Sequence, residues 1–267
     1  MLRLLKIEFY KIFYSKIFWV LLGLYGLILV PLTLGMNELS DKFFDLTKEA
    51  SPLTGTPFES FSIFNHPNVW HFITYLSTYF NTLLVIILII VVTNDFRFKT
   101  LKQHIIDGMN KVEVILAKQL VIIILIGIGV LFNVILVFAL GNSVEGVPIF
   151  KGVFILIPYC LAMFLYMNLA YFLSFCFRRS GIALILLLLY SWIIENLATY
   201  IFLPESVSKF LPMKLVKNMI PNPGKSLVGM SVEPDLSSFN VSVCAGYIIF
   251  FVGMNYWMLK RGIAAKP

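Results

Sequence analysis

The 267 residues are 59% hydrophobic and only 13% charged, with a mean hydropathy of +0.89, whereas a soluble domain carries roughly 25% charged residues to cover its surface. Water is therefore excluded as the solvent for most of the chain. The formal charge of +7 does not point to nucleic acid either, because the basic residues sit beside apolar blocks and no basic run in a polar segment is interleaved with stacking aromatics.

Residues 1–16 open the chain as an amphipathic helix, with Leu2, Leu5, Phe9, Ile12 and Phe13 on one face and Arg3, Lys6, Glu8 and Lys11 around the rest. Such a helix is expected to lie in the headgroup plane with its basic side chains snorkelling, either as a topology anchor or as a docking element. The first apolar block, residues 17–36, is long for a signal-peptide core and no small-x-small cleavage site follows it, so it is expected to stay as an anchor. Five more blocks follow at 72–93, 119–140, 153–177, 182–203 and 241–259, each near the roughly 20 residues that cross a bilayer as helix. Backbone polar groups in lipid need partners within their own segment, so these blocks must be helical. A β-barrel would alternate apolar and polar residues, but Leu83 to Val92 is apolar throughout. The expected fold is all-α: a polytopic integral membrane protein with six transmembrane helices, forming one domain over residues 17–267 behind the interfacial helix.

Between the second and third blocks, residues 94–118 are too polar to span. They read as two short helices: Ile105 and Ile106 end the first, Gly108 breaks it, and Asn110 caps the second with Glu113 three positions on. The pair is either a docking surface or a solvated loop. Within the blocks, Asn133, Asn168, Asn196 and Asn255 are candidates for hydrogen bonds between helices. Glu195 is the only carboxylate well inside a block. Intramembrane ionisable residues are costly enough to mark a functional site, here a candidate for the transport pathway unless Glu195 only pairs with a neighbour or reaches the headgroups. Residues 204–238 hold five of the 12 prolines and the apolar stretch Leu211 to Ile220; they form either a re-entrant helix pair or an ordinary surface loop. Cys160, Cys176 and Cys244 show no CxxC spacing, and His66, His71 and His104 match no metal motif, so neither a disulfide framework nor a metal is expected.

Of the 21 basic residues, 14 fall at one end of the six-span arrangement and 7 at the other. Lysine and arginine are retained on the cytoplasmic side of short loops, so both termini are expected in the cytoplasm.

With these elements in place, the chain resembles the six-span permease subunits of ATP-binding cassette exporters, the type-2 permease family. The resemblance covers the whole length and is most specific in the loop: Asp95, then Lys99, Thr100, Leu101, Lys102 and Gln103, the break at Gly108, Lys111, and Ala117-Lys118 entering the third span. The family usually carries glycine where Lys99 stands, proline at Gly108 and arginine at Lys111. The resemblance implies that these residues, with Glu113, couple the permease to a cytoplasmic ATP-binding cassette ATPase present in two copies. It further implies a second permease chain, identical or homologous, and a bacterial cytoplasmic membrane. ATP and magnesium would sit on the ATPase, leaving this chain without a cofactor and without catalysis. The sequence agrees in having no GxxxxGK[ST] loop; Pro223-Gly224-Lys225-Ser226 has Met219 where the first glycine belongs. A membrane enzyme, a channel and a non-catalytic assembly subunit are the alternatives. HExxH, GxSxG and paired intramembrane aspartates are all missing, and no ring of like charges or filter-like loop suggests a channel. The cargo does not follow from the fold.

Overall fold

A computed structural model of the chain describes residues 2–54, 64–106, 110–142, 148–223 and 236–261. These residues form an all-α membrane protein: no strand occurs among them, and six helices are long and apolar enough to cross a bilayer. In chain order, α1 is Leu2–Phe13, α2 Lys16–Thr54, α3 Asn68–Arg97, α4 Thr100–Ile106, α5 Lys111–Leu140, α6 Leu156–Phe177 and α7 Ser180–Leu188. The fifth span continues from α7 through a π-helical turn, Leu189–Ile194, a short α8, Glu195–Leu197, and a second π-helical turn, Ala198–Phe202. Two short helices, α9 (Glu205–Ser208) and α10 (Pro212–Met219), precede the last span, α11 (Ser238–Lys260).

The apolar blocks read from the sequence lie within these helices, apart from the ends of the fourth and fifth, but several boundaries differ for physical reasons. The first helix does not stop near Met36; it runs on to Thr54 through a polar stretch that an apolar window does not register. The second short helix expected after Gly108 is not separate. Asn110 starts α5 with its amide donating to Glu113 Oε2 at 3.3 Å, and the helix then runs unbroken to Leu140. A cap begins a helix but carries no information about where it ends, so the loop helix and the third span merge.

At the centre, α6 packs against α3, α5, α7, α10 and α11, and it is the most buried of the six spans. Close approach is visible at Gly129 on α5, where an added Cβ would meet the Tyr159 hydroxyl of α6 at 2.5 Å. That hydroxyl donates to Asn81 Oδ1 of α3 at 2.9 Å, so three spans meet at one polar contact. By contrast α2, α7 and α11 present most of their apolar surface outward, as helices that face lipid or another subunit do.

The two ends of the bundle are closed in different ways. One end gathers Lys11, Lys118, Arg178 and Lys260, with Lys111 Nζ reaching the Lys260 carbonyl at 3.5 Å. The other is closed by backbone pairing between Phe64–His66 and Asn142, by Trp70 donating to the Ile149 carbonyl at 2.8 Å, and by His71 Nε2 at 2.8 Å from the Pro221 carbonyl.

Candidate functional site

Beneath the loop between α3 and α5 lies a buried network of four charges. Glu8 and Lys11 are three residues apart on α1, Asp95 is in the last turn of α3, and Lys118 is in the first turns of α5. Lys118 Nζ lies 2.6 Å from Glu8 Oε2 and also pairs with Asp95 Oδ2, while Lys11 Nζ is 3.0 Å from Asp95 Oδ1 and 3.3 Å from Glu8 Oε1. Two cations and two carboxylates thus alternate and cancel. Lys118 is 1% exposed and Glu8 3%; ions taken this far from water are tolerated only when paired and hydrogen-bonded. Thr100, the first residue of α4, completes the arrangement by donating to Asp95 Oδ1 at 2.7 Å. Elements α1, α3, α4 and α5 are therefore joined at one point.

The turn from α3 into α4 is made at Lys99, whose φ of 57° is left-handed, a conformation that costs a residue with a side chain roughly 1–2 kcal/mol and glycine almost nothing. Leu101 is buried and anchors α4 to the bundle, while Gln103 faces outward and Ile106, ending α4, is 82% exposed. Phe98 and Val112 are exposed as well, so the loop carries apolar side chains on its outer surface. Lys99 and Lys111 border that surface, Lys111 partly covered. The side chain of Lys102 and all of Gly108 lie outside the described residues.

Against the sequence reading, the residues of the loop divide into two groups. Lys99, Gln103 and Lys111 stand on its outer side. Asp95, Thr100 and Lys118 do not: they are turned into the protein and hold the loop in place. Glu113 serves the start of α5. The expectation that the basic side chains of α1 snorkel is corrected for Lys11, whose ammonium turns to Glu8 and Asp95, and Glu8 of the same helix turns inward to Lys118. Glu8 was missed as a site residue because its buried partner, Lys118, is 110 positions away.

At the opposite end a cavity of about 810 Å³ opens between α3, α6, the fifth span and α10. Tyr75, Tyr79, Tyr166 and Trp192 supply aromatic walls, and Glu195 lies on one side. Glu195 is 2% exposed; its Oε1 accepts the Lys214 backbone N–H at 2.7 Å in the first turn of α10, where free amides favour a carboxylate. Its Oε2 has no hydrogen-bond partner among the described residues. The two π-helical turns flank Glu195, and such turns inside α-helices are frequent at functional sites. Lys217 pairs with Asn196, and Lys214 Nζ donates to Ser208 Oγ at 2.6 Å. Met213, Leu215, Val216 and Met219 of α10 are buried against α6 and α11, so this part of residues 204–238 is an ordered helix folded into the bundle.

No family model matches the sequence, and no curated protein matches it either.

Of the four intramembrane asparagines, Asn168 does join two spans, accepting from Gln119 Nε2 of α5 at 2.8 Å. Asn196 also bonds between helices, accepting from Lys217 of α10 while donating to the Trp192 carbonyl one turn back; Asn133 donates to a carbonyl one turn back in its own helix, and Asn255 is buried with neither side-chain polar atom paired among the described residues. Gln119 and Asn81 are the interhelical partners that the sequence did not single out.

Proposed function

We infer that this chain is the membrane-spanning permease subunit of an ATP-binding cassette exporter of the type-2 family, moving a substrate with ATP hydrolysed by a separate ATPase. The observation that carries the reading is the α3–α4 turn and what lies beneath it. The position where the family usually has glycine adopts a left-handed φ of 57°. The helix that follows exposes Ile106 outward and is fixed inward by Thr100 and Leu101. An element of this kind, apolar and accessible on one side and tied to α1 and two transmembrane segments on the other, is suited to receive force from a docked protein. The charge network then carries the displacement into α1, α3 and α5 as one body.

In this reading the basic end faces the cytoplasm of a bacterial cell, two ATPase copies dock there, and a second permease chain covers outward-facing spans such as α2, α7 and α11. The aromatic cavity with Glu195 is the candidate for part of the pathway at the far end. A membrane enzyme draws little support from the cavity, because the lysines near Glu195 among the described residues, Lys214 and Lys217, are engaged by Ser208 and Asn196, which leaves Tyr190 as the titratable group at its carboxylate.

Changing Lys99, Lys102 and Lys111 together to Glu tests the assignment. Insertion and folding should survive, while ATPase docking weakens or ATP hydrolysis continues without transport. Normal transport by the triple variant would remove the loop from the coupling role.

A further inference from the structure

The basic end carries a second cavity, of about 730 Å³, between the last turns of α3 and α6 and the start of α7. Arg97, Lys99, Arg178 and Arg179 line it. The one carboxylate among its lining residues, Asp95, is already engaged by Lys11, Lys118 and Thr100. Cations from the α3–α4 turn and the α6–α7 turn therefore converge, and Arg97, Lys99 and Arg179 are exposed and make no ion pair with any described residue. Like charges held together in this way repel one another, and a bound anion relieves that repulsion.

Two further features specify the anion. Ser180, Gly181 and Ile182, the first three residues of α7, line the same cavity; no side chain among the described residues caps the start of this helix, and a Cβ added at Gly181 would meet nothing within 4 Å. Backbone N–H groups at a helix start, added to guanidinium groups, match the several oxygens of a phosphate. One side of the rim is apolar: Phe177 and Ile182 border the cavity and are exposed on the flank of the spans, where an acyl chain would run. We propose that this cavity binds the phosphate of an acidic phospholipid headgroup from the adjoining leaflet, with the lipid tail along Phe177 and Ile182. Basic pockets between transmembrane helices recognise such headgroups by the same combination. The site needs only that the chain spans a membrane, so it stands apart from the transport reading.

The test is native mass spectrometry of the full-length protein in mild detergent, offered equal amounts of phosphatidylglycerol and phosphatidylcholine. The unmodified protein should retain phosphatidylglycerol in preference. Arg97→Gln and Arg179→Gln should each weaken that retention about fivefold, and the double variant about 25-fold, with phosphatidylcholine unaffected. Lys151→Gln with Lys209→Gln, at the other end, should leave the preference unchanged. A second arm adds inorganic phosphate at low millimolar concentration. Undiminished lipid retention there is the expected result, and displacement would overturn the lipid in favour of soluble phosphate. Equal retention of both lipids by the unmodified protein, or a preference that survives in the double variant, would overturn the site itself.

Discussion

Replacing Lys118 by methionine removes one of the two cations of the buried network and keeps the volume of the side chain. Glu8 and Asp95 would then face Lys11 alone. The side chains of Glu8, Asp95 and Lys118 are 2–6% exposed, so water cannot compensate, and the expected loss is about 3–5 kcal/mol, the range for stranding a buried charge. Lys11 offers the contrast. Its side chain is 29% exposed, solvent screens its contribution, and Lys11→Met should cost about 1 kcal/mol. Adding Glu8→Met to Lys118→Met restores neutrality, because Asp95 keeps Lys11 and Thr100. Since an apolar pair of similar volume is often no worse than a buried ion pair, the double variant should recover most of the loss, giving a coupling energy of about 2–3 kcal/mol. Equilibrium unfolding of the purified variants in detergent completes the cycle. Additivity within about 0.5 kcal/mol would refute the network.

Lys99→Gly should stabilise the protein by about 0.5–1 kcal/mol, because glycine removes the left-handed strain while giving back part of the gain through a freer unfolded chain; a lower midpoint in thermal unfolding would contradict this. Glu195→Gln retains an acceptor for the Lys214 amide and should leave α10 in place, whereas Glu195→Ala should release it, read as faster thiol labelling of an Asn218→Cys reporter in the alanine background only. Gln119→Leu should cost about 0.6–2 kcal/mol by breaking the contact to Asn168, and the same change in an Asn168→Leu background should cost less.

Much of this molecule is legible from local pattern. A run of apolar residues long enough to span, a Gly or Asn at a break and a Glu three residues after a cap each act within a few positions of themselves, so the six spans, α4 and the start of α5 follow from reading along the chain. What escapes is set by pairs. Nothing near Glu8 announces that it meets Lys118, and Lys118, adjacent to an apolar block, looks like a residue at the membrane edge until the fold buries it. The same limit applies to Asn133 and Asn168: equivalent in sequence, they differ because only the second has Gln119 opposite it. Glu195 was visible as an anomaly, but its partner, an amide at the start of α10, became apparent only when that helix was seen folded back against α6. Lys99 is a mixed case, since its place in the loop motif was readable and its left-handed φ was not.

The measurement that bears most directly on the coupling role is site-specific crosslinking at α4 in membranes from the native host. Gln103→Cys and Ile106→Cys, both on the outward surface of the helix, should each yield one specific adduct with a cytoplasmic ATPase that carries a GxxxxGK[ST] loop, while Leu101→Cys, which faces the core, should yield none. Absence of any ATPase among the adducts and co-purifying proteins would contradict the account at its centre.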